Sequence, residues 1–346
     1  SEAAGPVVCD ALAAAEHRVA GSGLGAAYTA SLLEWLGGHP ALSPNGSDPH
    51  PAIEWARSGA MALTGHADGP PLLAPGPLAT CARAALEAIR LVAGGQWSST
   101  LGGPALLYGP ALLGERAAIL GLRRRGAISP GGSCRILEAA DGWIAVSLPR
   151  EDDLRSIPAW LGEGEIADPW EFVASRVAVR PAAEIVARAR LLGLAATVAV
   201  DPPTAARPWC RINARGCPGE RAPTEPPLVI DLASLWAGPL CSHLLELAGA
   251  RVVKVESTRR PDGARSGPPE FFALLNGGKA NVALDFGDPS DRRRLHRILE
   301  RADIVVESAR PRALAQLGVD AESLVKSVPG LTWVSVTGYG RREPGA

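Results

Sequence analysis

Charged and glycine-containing segments follow the apolar runs in the last third of the chain. They lie at 235–238, 257–260, 307–310 and 337–340. If the apolar runs are parallel strands, these segments meet at the edge of a sheet where open α/β sheets bind their ligands. Glu307, which closes one of the runs, is then either a ligand-binding carboxylate or a structural one. The pattern predicts a ligand-binding edge.

His50 offers a different chemistry, because an imidazole with a pKa of about 6.5 can take or give a proton near neutral pH. It stands just before an apolar segment with helical spacing. The alternative is a loop histidine with no chemical role. Six cysteines, at positions 9, 81, 134, 210, 217 and 241, form no CxxC pair and have no histidine at zinc-ligand spacing. No metal site is predicted.

A glycine cluster, GSGLGA at 21–26, could hold a phosphate between backbone amides. That function needs a strand before the glycines, and no strand pattern precedes them. The cluster therefore predicts a turn between two helices, at 11–20 and 26–38. A loop is expected at 41–51.

The elements that must position the ligand-binding edge begin at Val229. Apolar runs predict five strands, at 229–234, 251–256, 280–286, 303–308 and 331–338. Helical patterns separate several of them, as in the amphipathic segment at 288–302. Strands that alternate with helices predict a parallel, doubly wound sheet. The fold class is therefore α/β.

The preceding residues predict other units. Asp141 and Gly142 between two apolar runs indicate a β-hairpin, and helices and a returning strand follow it. The predicted organisation is a helical region at 1–127, a small α+β lobe at 128–200, a proline-rich linker at 201–227 and a parallel α/β domain at 228–346.

Five blocks after Val229 carry a family resemblance. VIDLASLWAGP, LAGARVVKVE, LLNGGKANVALD, ADIVVESARPRALAQLG and VSVTGYG, in this order, resemble the opening of the family III CoA-transferases. That superfamily includes carnitine and bile-acid CoA-transferases and alpha-methylacyl-CoA racemases. The segments AIEWARSGAMALTGHADGPPLLAPGPLA and SCRILEAADGWIAVSL resemble its later regions. The order implies an abbreviated first copy followed by the start of a second, incomplete one; the alternative is a circularly shifted order.

The resemblance also implies catalytic positions. Family members use an aspartate that attacks an acyl-CoA thioester, and its place in the first copy is taken by Thr80. A threonine cannot form the mixed anhydride, and the second copy's carboxylate is expected beyond Ala346. The racemase branch uses a histidine, whose place is that of His50, but Pro51 stands where an aspartate usually follows.

The resemblance implies coenzyme A contacts in a turn, a short segment and a loop. The implied residues are Leu235, Trp236, Ala237, Asn276, Lys279, Glu307, Ser308, Ala309 and Arg310. Lys279 and Arg310 suit the nucleotide phosphates through charge-assisted hydrogen bonds. The alternatives without a role in ligand binding are a solvated turn lysine at 279 and a buried aromatic side chain at 236. Ser257 and Gln316 stand where relatives often carry arginines, which weakens the implied CoA site.

The resemblance implies a CoA-transferase that moves CoA between carboxylic acids, with acyl-CoA and a small carboxylic acid as its partners and no metal. The alternatives are an acyl-CoA racemase and a non-catalytic CoA-binding or scaffolding chain. A net charge of −1 gives no field that favours nucleic acid. The sequence contains no run of 18 apolar residues, so no membrane-spanning helix is predicted. A cytoplasmic homodimer is expected.

Overall fold

The computed structural model describes residues 16–20, 23–36, 38–43, 48–93, 107–199, 210–219, 225–338 and 340–341. These residues form two compact units. The sheet unit takes its described residues from 1–50, 79–112 and 210–346, and the small unit takes them from 51–78 and 113–209. The predicted helical region 1–127 is thus divided between the two units.

The helices and strands are given in chain order. They are β1 (Glu16–Ala20), α1 (Leu24–Trp35), β2 (His39–Ser43), α2 (Pro51–Arg57), α3 (Leu78–Ala93), α4 (Glu115–Ile119), β3 (Cys134–Ala139), β4 (Gly142–Ser147), α5 (Glu151–Arg155), α6 (Ile157–Leu161), α7 (Pro169–Val177), α8 (Ala182–Leu191), β5 (Ala195–Ala199), β6 (Leu228–Leu232), α9 (Ala237–Leu247), β7 (Arg251–Ser257), α10 (Pro269–Asn276), β8 (Ala280–Leu284), α11 (Pro289–Leu299), β9 (Ile304–Glu307), α12 (Pro311–Gln316), α13 (Ala321–Ser327) and β10 (Thr332–Ser335).

The main sheet of the sheet unit has five strands in the order β10-β9-β6-β7-β8. Every neighbouring pair is parallel, as the sequence predicted. The chain leaves β6 towards β7 and β8 on one side, and later adds β9 and β10 on the other. The strand order therefore reverses between β6 and β9. In doubly wound sheets this reversal is where ligands bind, outside the carboxyl ends of the strands.

Helix α11 shows why the sequence folds this way. Asp288 caps it by accepting a hydrogen bond from the Ser290 amide, and Pro289 takes the first helical position, where a missing N–H costs nothing. Leu295 and Leu299 lie one turn apart and are fully buried in the core between α11 and the sheet. Each such leucine contributes about 1.5–3 kcal/mol through its removal from water.

The sheet unit also contains a second, two-stranded sheet, where the sequence had predicted a helix at 11–20 and a loop at 41–51. Residues 16–20 form strand β1 rather than helix, and residues 39–43 form strand β2, which overlaps the predicted loop. The two strands pair in parallel with α1 as their crossover. The buried side chains of Val19, Ala26 and Leu33 pack against Ala88 of α3. The glycine cluster thus follows a strand and does not join two helices.

The small unit contains an antiparallel sheet in the order β3-β4-β5. The predicted hairpin is present, but its turn is one residue earlier, at Ala140 and Asp141: Gly142, with a φ of +156°, is the first residue of β4 and pairs with Ala139. Helices α5 to α8 cover one face of this sheet. Trp160 lies at the centre of the core, fully buried, and its indole Nε1 donates to the carbonyl oxygen of Ile185 at 3.0 Å.

Parts of several predictions lie outside the described residues. They include the predicted helix over 11–15, the cysteine at position 9 and most of the linker. Residues 210–219 of that linker contain neither helix nor strand, and the amide of Gly330 donates to the Cys217 carbonyl oxygen at 2.8 Å.

Candidate functional site

The segment that follows β6, here called the β6 turn, contains Ala233, Ser234, Leu235, Trp236 and Ala237. It joins β6 to α9 at the reversal of the strand order. The Ala233 carbonyl oxygen accepts a hydrogen bond from Lys254 Nζ at 2.9 Å. The Ser234 amide donates to Ser308 Oγ at 3.0 Å. Lys254 belongs to β7 and Ser308 follows β9, so the backbone of the turn is held from both sides of β6.

Leu235 has a φ of +72°, and no other non-glycine residue in the described part of the chain has a positive φ. The left-handed conformation costs an L-residue about 1–2 kcal/mol. The Leu235 amide donates to Asp262 Oδ1 at 2.9 Å, while the residue as a whole is 54% exposed. Strained backbone persists where its surroundings hold it, and it is concentrated at ligand-binding sites.

Asp262 is itself held by buried partners. Its Oδ2 lies 2.9 Å from Lys254 Nζ, and both side chains are fully buried. Its Oδ1 also accepts from the Ala264 amide, and its own amide donates to Glu256 Oε1. Burial alone would raise the pKa of Asp262, but the two amide hydrogen bonds and the Lys254 ammonium outweigh burial and lower it. The carboxylate therefore stays charged at neutral pH.

The segment after β9, Ser308 to Arg310, is here called the β9 loop, and Glu307 fixes its conformation. This side chain is fully buried; its Oε2 accepts from the Ala309 amide and its Oε1 from Arg341 Nη1, both at 2.8 Å. Both carboxylate oxygens are thus engaged by the chain itself, which favours the structural interpretation of Glu307. Ser308 and Ala309 are partly buried, and Arg310, which immediately precedes α12, is exposed.

Lys279 and Asn276 lie inside the sheet unit. Lys279 Nζ contacts Asp231 Oδ2, the Pro239 carbonyl oxygen and Asn276 Oδ1, each at 2.9 Å, and Ser242 Oγ at 2.8 Å. An ammonium has three N–H donors, and the four acceptors around Lys279 Nζ engage all three of them. Burial lowers the pKa of Lys279 although Asp231 opposes that effect. This geometry disfavours both earlier interpretations of Lys279, as a phosphate contact and as a solvated turn lysine.

Trp236 is partly buried, and it packs against the cluster of Ala264, Phe271 and Leu275. Phe272 belongs to the same cluster, and the Arg265 guanidinium lies 4.0 Å from the centre of its ring. The indole therefore joins the β6 turn to α10 and the short helix before it. Ala237 is the first residue of α9.

The two predicted catalytic positions are not among these contacts. Thr80 is buried in α3, and its Oγ1 has no hydrogen-bond partner among the described residues. His50 is exposed and directly precedes α2. The residues brought together at the strand ends are those of the β6 turn and the β9 loop.

The glycine cluster holds a carboxylate of the chain itself. Asp48 Oδ2 accepts hydrogen bonds from the amides of Gly25 and Ala26, at 2.7 and 3.1 Å, and Asp48 Oδ1 pairs with Arg83. A Cβ at Gly25 would collide with the Arg83 guanidinium. The amino-terminal end of α1 is therefore already occupied by an anion.

Sequence reasoning missed the two residues that hold the turn, Lys254 and Asp262. A usable signal existed for the first, because Lys254 interrupts the apolar strand RVVKVE. Strands of parallel sheets are covered on both faces, and a lysine inside one needs a partner. No sequence signal identified Asp262 as that partner, since it follows β7 in an irregular loop.

Among the described residues, no group of three or more His, Cys, Asp and Glu side chains could hold a metal ion. No helix in the described ranges has the length and apolar character needed to cross a membrane.

Comparison with known proteins gives matches over about the last third of the chain. Residues 227–346 match the model of CoA-transferase family III. Acetyl-CoA:oxalate CoA-transferase of Acetobacter aceti is 32% identical over 130 residues, which are 36% of this chain and 33% of that enzyme. Succinyl-CoA:mesaconate CoA-transferase of Haloarcula hispanica is 36% identical over 130 residues, which are 34% of this chain and 32% of that enzyme.

Among solved structures, a CAIB/BAIF family protein from Brucella suis is 32% identical and covers 36% of each chain, with a TM-score of 0.32. The chain thus spans about a third of the length of the curated relatives it matches.

Proposed function

We propose that the chain binds acyl-CoA at the β6 turn and the β9 loop and takes part in moving CoA between carboxylic acids. The proposal is supported by the match of residues 227–346 to CoA-transferase family III and by their similarity to named CoA-transferases. The observation that carries the proposal is the position of the matched residues. The segments that the resemblance assigned to CoA, 235–237 and 307–310, are adjacent at the reversal of the strand order.

The site suits an anionic nucleotide. Arg310 is exposed in the β9 loop, while Arg259 and Arg260 are exposed after β7, on the other side of β6. Neighbouring strands lie about 4.8 Å apart, so the carboxyl ends of β7 and β9 are roughly 10 Å apart across β6. That span is compatible with the phosphate groups of one CoA molecule. Arg259 already pairs with Asp285, which leaves Arg260 and Arg310 as the stronger candidates.

A CoA-binding measurement tests the first half of the proposal. We expect saturable binding of CoA by titration calorimetry, and R310A is expected to weaken it by about 10–100-fold, the loss of one charge-assisted hydrogen bond. The matched control is R312A, two residues further along, which removes an equal charge from an exposed position of α12. Equal losses in both variants would attribute the effect to overall charge and contradict a contact at Arg310.

Transfer chemistry requires a nucleophile that Thr80 does not provide. A threonine hydroxyl at the position of the family's aspartate cannot form an acyl anhydride that exchanges its CoA. The wild-type chain is therefore expected to exchange labelled acyl-CoA with free carboxylic acids slowly or not at all. T80D is expected to gain exchange that depends on the added acid, whereas T80N, with the same shape and no charge, is not.

A non-catalytic CoA-binding chain is the second candidate function, and Thr80 is the observation that favours it. CoA binding by the wild type with no exchange in either the wild type or T80D would support this candidate and contradict transfer. Absence of CoA binding would contradict both candidates.

The racemase alternative depends on His50. It predicts uptake of deuterium at the α-carbon of an acyl-CoA, without release of CoA, and loss of that uptake in H50A. An unchanged uptake in H50A would remove the one residue on which this alternative rests.

A further inference from the structure

The β6 turn adopts a backbone conformation that its own residues disfavour. Leu235 has a φ of +72°, although a leucine prefers negative values and the residue is 54% exposed. Little side-chain burial therefore compensates for the strain. The conformation must be imposed by contacts to the backbone of the turn.

Two of those contacts come from one buried ion pair, and the third is the hydrogen bond from the Ser234 amide to Ser308 Oγ. Asp262 Oδ1 accepts from the Leu235 amide at 2.9 Å, and Lys254 Nζ donates to the Ala233 carbonyl oxygen at 2.9 Å. The two side chains also lie 2.9 Å from each other and are fully buried. One ion pair thus binds the turn at two points, at Ala233 and, two residues later, at the strained Leu235.

We propose that Asp262, fixed by Lys254, is a positioning residue for CoA: it holds Leu235 in the left-handed conformation and so places Trp236 and Ala237 for the ligand. This inference rests on the proposed function, because the turn matters for CoA only if CoA binds there. A change of φ at Leu235 to a negative value redirects the chain on either side of it. Leu235, Trp236 and Ala237 could not then all keep their positions at the strand ends.

The test uses a pair of substitutions that removes the Lys254–Asp262 ion pair and is chosen to leave the fold intact. K254M/D262L replaces the ion pair by apolar side chains of similar size, an exchange that is often neutral for stability. If the turn then occupies its binding-competent conformation in about 1–10% of molecules, the apparent Kd for CoA rises by about 10–100-fold. L295A, which opens a cavity in the core beneath α11, is the control for loss of stability alone and is expected to leave the Kd unchanged.

A rescue separates positioning from a merely structural role. Glycine adopts positive φ values about as readily as negative ones. Adding L235G to K254M/D262L should therefore bring the Kd to within about 3-fold of the value for the L235G single variant, which carries any loss due to the Leu235 side chain itself. Hydrogen exchange of the residue-235 amide should be slow in the wild type and fast in K254M/D262L.

The outcomes distinguish this inference from the proposed function. A wild-type chain that does not bind CoA contradicts the proposed function and the inference with it. Binding of CoA by the wild type and equally well by folded K254M/D262L contradicts the inference alone. A Kd of the triple variant that stays about 10-fold or more above that of L235G alone would also overturn it, because the loss would then not act through the conformation of residue 235.

Discussion

Two of the chain's three lysines are buried in ion pairs inside the sheet unit. Lys254 pairs with Asp262 and Lys279 with Asp231, and the third, Lys326, is exposed. Removing a charge from water is costly, and the cost is met only where a partner and further hydrogen bonds replace the water. Lys279 has four such partners, drawn from β6, α9 and α10. It therefore ties three elements of the sheet unit together.

We expect K279M to lower the free energy of unfolding by about 3–5 kcal/mol, because it leaves the Asp231 carboxylate buried without its cation. Urea denaturation followed by circular dichroism measures the change. K326M is the matched control and should change the same free energy by less than about 0.5 kcal/mol, since it alters an exposed position. Similar midpoints for the two variants would show that the Lys279 ion pair contributes no net stability.

The candidate site could be located from the sequence only in part. Apolar runs followed by charged segments identified the strand ends, because parallel strands place their carboxyl ends together. Which side chains face a ligand did not follow from the pattern. Lys279 and Arg310 both follow apolar or turn segments, yet the first is sealed inside the unit and the second is exposed. That difference depends on partners distant in the sequence, such as Asp231.

At the scale of elements, the five strands of the main sheet were predicted because each is an apolar run of ordinary length between turn signals. Strands β1 and β2 were missed for a physical reason. Their residues, EHRVA and HPALS, are short and mixed in character, and Pro40 lies within β2. A proline removes a ladder hydrogen bond and argues against a strand in any pattern-based prediction. Pairing with each other and packing of α1 on α3 override that local preference.

Helix α7 provides a test of element stability in the small unit. Asp168 caps it and accepts hydrogen bonds from the amides of Trp170 and Glu171, at 2.7 and 2.8 Å. D168A should lower the free energy of unfolding by about 1 kcal/mol, because two amides at the helix start lose their acceptor. E165A, an exposed change three residues earlier, is the control. A D168A variant as stable as E165A would contradict the capping role.

At the scale of the whole molecule, several carboxylates have pKa values lowered by their partners. For Asp262 and Glu256 burial raises the pKa, but hydrogen bonds and nearby cations outweigh burial; for Asp153 the hydrogen bonds from Arg150 are the largest cause. A carboxylate with a lowered folded-state pKa adds stability above its unfolded-state value and loses it as the pH falls. Stability should therefore decline as the pH falls below about 4.

Urea midpoints measured between pH 6 and pH 3 would check this decline. The variant E256Q removes one of the titrating groups, so its stability should fall less steeply over the same interval. A wild-type midpoint that does not change between these pH values would contradict the contribution of these carboxylates.

The expected homodimer is a second prediction at this scale. With 35.8 kDa per chain, light scattering during gel filtration should give twice that mass at micromolar concentrations. The measured mass should fall with dilution if the association is reversible. A single species of 35.8 kDa at every concentration would contradict the dimer.

The burial of Lys254 and Lys279 has a consequence for chemical damage. Thioesters of CoA acylate free amines, and a protein that concentrates them beside a lysine risks modifying itself. Inside the sheet unit both amines are enclosed and hydrogen-bonded to acceptors of the chain, so they are not accessible to a reactive carbonyl carbon. If acyl-CoA binds here, Lys326 should collect acyl adducts on prolonged incubation, and the two interior lysines should remain unmodified until the chain unfolds.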